Sequence, residues 1–138
     1  MGLQTVPLLL MPNDESHILA AIQAAEERTT VQFHVCVEAS SRDAEPRAGA
    51  LLRASTARAG RHQRILIYIL AHDRRCVVVI DPALRAVAST RIWRDVENRL
   101  TLDILGGKLA GGAADAVQRF SHIAAGHFPL IPASASPR

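Results

Sequence analysis

The spacing of apolar and polar residues changes period several times along this chain, and each change marks an element. Ile18, Leu19, Ile22 and Ala25 recur at helical spacing. Just ahead of them, Asn13 can cap, and Asp14 and Glu15 suit the positive end of a helix dipole. A first helix is predicted over 14–28. Thr29 and Thr30 break it. Val31, Phe33, Val35 and Val37 then alternate with Gln32, His34, Cys36 and Glu38, the two-residue period of a strand with one strongly apolar face. Ser40 and Ser41 can cap a second helix, whose light apolar stripe is Ala44, Ala48, Leu51, Leu52 and Ser55. Pro46 is tolerated in its first turn, and Arg47 and Arg58 are placed toward water.

Residues 65–70, Ile-Leu-Ile-Tyr-Ile-Leu, are apolar without alternation, as expected for a central strand covered on both faces. A second run of the same kind follows at 76–80. The short polar interval His72-Asp73-Arg74-Arg75 leaves room for an antiparallel hairpin and none for a parallel crossover. Two helices complete the pattern. Ser89 or Thr90 caps the first, which carries Ile92, Trp93, Val96, Leu100 and Ile104 and offers Asp95–Arg99 and Arg99–Asp103 pairs on its outer face. Gly106-Gly107 ends it. The second carries Leu109, Ala113, Val117, Phe120 and Ala124 up to Gly126, with Gly111 and Gly112 weakening its first turns. Strands buried on both faces require helices on both faces. The predicted fold is therefore α/β, a three-layer α/β/α sandwich whose small mixed sheet contains an antiparallel hairpin.

With 138 residues, 49% of them apolar and 21% charged, the chain is one globular domain that needs no disulfide or metal to hold a core. The boundaries predicted are an N-terminal extension over 1–13, the domain over 14–130 and a flexible tail over 131–138. The net charge is +3, and Lys108 is the only lysine among 16 basic residues. Aromatic residues make up 4% of the chain and no basic recognition motif is present, so nucleic acid is not an expected partner. Cys36 and Cys76 lack metal-ligand spacing and are read as buried free thiols. The apolar run from Val6 to Met11 is too short to span a bilayer and follows no basic residue, and no later segment reaches spanning length. No membrane insertion and a cytoplasmic location are expected.

Ala25-Glu26 and Thr29 after the first helix are followed along the chain by Leu66-Ile67-Tyr68-Ile69, Asp73-Arg74-Arg75, Val79-Ile80-Asp81, Trp93 and the terminal His127-Phe128-Pro129. In this order and spacing, the chain resembles the TPM domain family, which has many bacterial members. The resemblance implies an α/β/α fold, divalent-metal binding in some members, weak acid-phosphatase activity in some, and assembly or regulatory roles in others. The chain departs from the family pattern where Val31-Gln32 replaces Gly-Glu, Gln63-Arg64 replaces Asn-Gly or Asn-Ala, and Pro82-Ala83 replaces Arg-Gly.

Three carboxylates are candidates for a calcium or magnesium site. Asp81 ends a strand, where ligands gather in open α/β sheets; its competing role is an Asx turn or a helix cap. Asp73 is a ligand candidate or a hairpin-turn residue. Glu26 stands at the unfavourable end of its helix dipole, so a cation or an arginine such as Arg28 or Arg64 should compensate it. The six histidines form no metal pattern, no catalytic nucleophile is identified, and Gly106-Gly107-Lys108 lacks the order of a phosphate loop. Two functions follow as expectations. One is a non-enzymatic binding or assembly module for a protein partner. The alternative is a divalent-metal-dependent phosphatase-like hydrolase, which the lost glycine and carboxylate disfavour.

Overall fold

The computed structural model describes residues 3–5, 10–55, 61 and 63–130. Residues 6–9, Arg58, His62 and the 131–138 tail lie outside the described residues. The elements are β1 (Leu3–Thr5), α1 (Pro12–Arg28), β2 (Gln32–Glu38), α2 (Ala44–Ala54), β3 (Arg64–Leu70), β4 (Arg75–Ile80), α3 (Pro82–Arg85), α4 (Thr90–Leu105) and α5 (Leu109–Ala125). They form a four-stranded sheet of order β1-β2-β3-β4. The first three strands are parallel and β4 runs antiparallel to β3.

The period of two along β2 and β3 sorts their side chains between two cores. Phe33, Val35, Val37, Ile65, Ile67 and Ile69 pack with α1, α4 and α5 on one face. Cys36, Leu66, Tyr68 and Leu70 pack with Ala44, Ala48 and Leu52 of α2 on the other. All of β3 after Arg64 is buried, which is why its sequence shows no alternation. The α/β/α sandwich, mixed sheet and hairpin are therefore as the sequence predicts. The β1-α1-β2 and β2-α2-β3 connections step the same way across the sheet with their helices on opposite faces. They are consequently of opposite hand, and one departs from the usual right-handed crossover.

Two expectations are corrected. Leu3–Thr5, assigned to an extension before the domain, pairs in register with Val35–Val37 as a fourth strand. The 76–80 run, predicted to be a second central strand, lies at the edge of the sheet, where residues 76–79 are only half-buried. Helix ends also differ in detail. Met11, not Asn13, occupies the N-cap of α1 and contributes no side-chain bond. Ser41 accepts from the Asp43 N–H at 3.2 Å in the turn before α2, whose N-cap is Asp43. Ser89 does cap α4, accepting from the Ile92 N–H at 3.3 Å. Ile92 itself is 46% exposed and does not join the core.

The α4–α5 junction explains three of the glycines. Gly106 is the C-cap of α4, and Gly107 adopts φ +82°, a left-handed conformation that favours glycine. At Gly112 a Cβ would fall 2.7 Å from the Asp103 Cβ, so this glycine permits α5 to approach α4. Arg99 of α4 reaches across to Asp115 of α5 at 3.2 Å. Beyond α5 the chain returns to the α1–β2 corner. Thr29 Oγ1 donates to the Phe128 carbonyl at 2.5 Å, the Thr30 N–H to the same oxygen at 3.0 Å, and the Leu130 N–H to the Arg28 carbonyl at 3.1 Å. Residues 128–130 thus strap the C-terminus to this corner.

Candidate functional site

Asp81 follows β4 and opens α3. Its carboxylate does not cap α3; Oδ2 instead accepts from the Arg64 backbone N–H at 2.7 Å and from Arg64 Nε at 3.3 Å. Arg64 continues the link, donating from a terminal nitrogen to the carbonyls of Leu52 at 2.8 Å and Ser55 at 3.2 Å, at the C-terminus of α2. One arginine thus joins the last strand to a helix end that attracts positive charge.

Glu26, 8% exposed on the last turn of α1, accepts from the Phe33 N–H at 2.9 Å through Oε2. The two arginines expected beside it serve other acceptors, Arg28 the Ser121 hydroxyl and Arg64 Asp81. Arg61 supplies the positive charge at this helix end, donating to the carbonyls of Glu26 and Thr29, each at 2.7 Å.

Asp73 lies in the β3–β4 turn and is exposed. β3 has seven residues. At about 3.3 Å per residue, roughly 20 Å separates its two ends, with Asp81 at one and Asp73 at the other. The structure therefore brings Glu26 and Asp81 to one end of the sheet and leaves Asp73 at the opposite end. That shared end holds the N-termini of the parallel strands, whereas ligand crevices in open α/β sheets form at the C-termini. Hard cations need several convergent oxygens. Among the described residues no group of three or more His, Cys, Asp or Glu is placed to hold a metal ion. The three candidate carboxylates, serving protein donors or standing apart, do not fit a shared cation.

The C-terminal ends of the parallel strands carry a network that sequence reasoning missed. Glu38 ends β2; Arg47 of α2 grips it with both Nε, at 2.6 Å, and a terminal nitrogen, and the Tyr68 hydroxyl donates to Oε1 at 2.5 Å. The Arg47 hydrogen bonds hold Glu38 below the usual carboxylate range, against the opposing effect of burial, and Tyr68 adds to the lowering. Burial, and then Glu38, push the Tyr68 hydroxyl up. Burial pushes the nearby Cys36 thiol up to about 11, so it is a neutral, inert thiol near pH 7. The available signal was the single hydroxyl of Tyr68 in a fully apolar run, because a buried polar group needs a partner. The network neutralises itself, with one carboxylate satisfied by a guanidinium and a phenol, and presents no activated nucleophile. Because Glu38 has a lowered value in the folded state, its contribution to stability is present above the unfolded value of about 4.5 and is lost as pH falls through the folded value. Glu38→Gln is expected to flatten the acid limb of the stability profile below about pH 4.5, measured by urea unfolding at a series of pH values.

Cys36 and Cys76 are free, on opposite faces of the sheet and separated by β3. His17, His72 and His122 are exposed, and His34 contacts Gln32 at 3.0 Å.

A mixed sheet enclosed by α2 on one side and α1, α4 and α5 on the other defines the class as a three-layer α/β/α sandwich. The family model described as the TPM domain matches residues 8–123, and the chain belongs to the TPM domain family. It is similar in structure to the BA42 protein of the psychrophilic bacterium Bizionia argentinensis, with a TM-score of 0.80, 24% identity, and 95% of this chain and 91% of that one covered. It is also similar to the N-terminal domain of the cg2496 protein of Corynebacterium glutamicum, with a TM-score of 0.66, 13% identity and coverage of 89% and 79%. At these identities the likeness is one of fold. No curated protein matches the chain. No helix among the described residues is long and apolar enough to cross a membrane.

Proposed function

We propose that this TPM domain is a non-enzymatic binding or assembly module whose partner is a protein. The observation that supports this reading is the commitment of two of the three candidate carboxylates. Asp81 serves the Arg64 N–H and guanidinium, and Glu26 serves the Phe33 N–H. Metal-assisted phosphoryl chemistry would require carboxylates directed at a cation that polarises a phosphoryl oxygen. A protein partner suits the domain better than a nucleic acid because Arg47, Arg61, Arg64, Arg75, Arg85 and Arg119 all bond to acceptors within the domain. A reducing location such as the cytoplasm suits its two free thiols.

The test is thermal unfolding of metal-stripped protein with and without millimolar calcium or magnesium, together with an assay on a generic phosphomonoester. A site filled to a hundred times its dissociation constant stabilises the native state by roughly 2.7 kcal/mol, a readable shift in Tm. The expected result is no shift and no turnover. Metal-dependent stabilisation with turnover that disappears in folded Asp81→Asn protein would replace this reading with the phosphatase one.

A further inference from the structure

β4 has the composition of a central strand and the position of an edge strand. Residues 76–80 are Cys-Val-Val-Val-Ile, with no lysine, proline or inward-pointing charge. Those are the devices by which sheets protect an edge from pairing with another chain. Among the described residues, no strand pairs with the side of β4 away from β3.

The register identifies which backbone groups are left open. The Asp81 N–H donates to the Arg64 carbonyl, and the register pairs Leu66 with Val79, Tyr68 with Val77 and Leu70 with Arg75. Hydrogen-bonded pairs alternate with non-hydrogen-bonded ones in an antiparallel ladder. The odd-numbered residues of β4 therefore bond to β3, while Cys76, Val78 and Ile80 direct their N–H and C=O groups to the open edge.

We infer that this edge is a self-association surface, on which β4 of a second copy pairs antiparallel about a two-fold axis at Val78. The inference rests on the reading of the domain as an assembly module and names its partner as the same chain. This register uses every outward group, with Val78 opposite its own copy and Cys76 opposite the other chain's Ile80. It also sets Arg75, 48% exposed and bonded to Glu45 of its own chain, opposite Asp81 of the second copy, which is bonded to its own Arg64. Each end therefore brings two ion pairs together, and no like charges face each other. Isologous symmetry of this kind is the commonest way that identical chains associate. A second apolar feature borders the same edge. Thr101 of α4 touches the Cys76 sulfur at 3.7 Å, so the 97-101-105 row of α4 runs beside β4. That row ends in Leu105, 53% exposed, with Leu102, 69% exposed, one step further round the helix. The paired sheets would run continuously through eight strands, with these leucines at the rim of the contact.

The experiment is light scattering of the full chain over a range of concentrations, with amide hydrogen exchange followed by NMR. The expected mass is about twice the 14.9 kDa of one chain, and the amides of Cys76, Val78 and Ile80 are expected to exchange as slowly as those of β3. Val78→Pro removes an N–H that β3 does not use, a change tolerated on a free edge, and is expected to give a folded single-chain species. Leu105→Glu, on an exposed helix position, is expected to raise the dissociation constant at least tenfold and provides the same test should Val78→Pro fail to fold. A single-chain mass at every concentration, or a dimer in which the Cys76, Val78 and Ile80 amides exchange as in open solvent, overturns the inference. These outcomes are separate from the metal and phosphomonoester results. A monomer without turnover removes this partner and leaves the module reading standing. Turnover abolished by Asp81→Asn removes the module reading whatever the mass.

Discussion

Trp93→Ala is expected to lower the unfolding free energy by roughly 3–5 kcal/mol, the range seen when a buried aromatic is truncated and a cavity remains. Trp93 is fully buried on α4, its ring lies 6.0 Å from that of Phe120 on α5, and Nε1 donates to the Arg85 carbonyl at 2.9 Å. It therefore joins three helices at once, α3 by a hydrogen bond, α5 by ring contact and α4 by the chain itself. Trp93→Phe keeps most of the apolar volume but leaves the Arg85 carbonyl without this donor, and about 1–2 kcal/mol is expected. Urea unfolding followed by circular dichroism is the suitable measurement, since Trp93 is the only tryptophan and fluorescence is lost with it. A cost for Trp93→Ala below about 1 kcal/mol, with the denaturant slope unchanged, would show that the three-helix junction does not depend on this ring.

The second large effect is expected at Asp81. Asp81→Ala leaves the Arg64 N–H without its acceptor and releases the guanidinium that also holds the end of α2, at an expected cost of roughly 2 kcal/mol. Asp81→Asn keeps an acceptor oxygen in place and is expected to cost about half as much. Both losses should be the same with and without millimolar magnesium, because the carboxylate acts on the protein itself. A cost that appears only when metal is present would make Asp81 a ligand instead. The comparison also separates activity lost through misfolding from activity lost through chemistry in any assay of Asp81→Asn.

These two residues show where the chain could be read and where it could not. Trp93 falls on the apolar stripe of a helix whose start is marked by Ser89 and whose end is marked by Gly106-Gly107, so its burial follows from spacing alone. The central position of β3 is equally plain, because six apolar residues in a row can only be covered on both faces. Asp81 was visible as a carboxylate at a strand end, but not its partner. The antiparallel return of β4 brings it to Arg64, 17 residues earlier, and no local pattern encodes that meeting. Glu38, Arg47 and Tyr68 are likewise separated by 9 and 30 residues, and parallel pairing alone brings the phenol to the carboxylate. The position of β4 was misjudged for a different reason. Composition reports whether the two faces of a strand are covered, and both faces of β4 do meet helices, but it says nothing of whether a neighbour lies beyond its edge. β1 is three residues long, too short for any period to show.

The strap formed by residues 128–130 has a consequence for the order in which this domain can be made. Thr29 and Phe128 are 99 positions apart, yet the corner between the first helix and the second strand is closed by bonds to Phe128 and Leu130. A ribosome adding roughly 5–20 residues each second would deliver those partners several seconds after the corner itself had emerged. Until then, the C-terminal end of the first helix is held to its surroundings by the Glu26–Phe33 bond and by Arg61. The last bonds of this corner can therefore form only when the C-terminal residues arrive, and truncation before Phe128 is expected to leave the Thr29 hydroxyl and the Thr30 N–H without the acceptor they share.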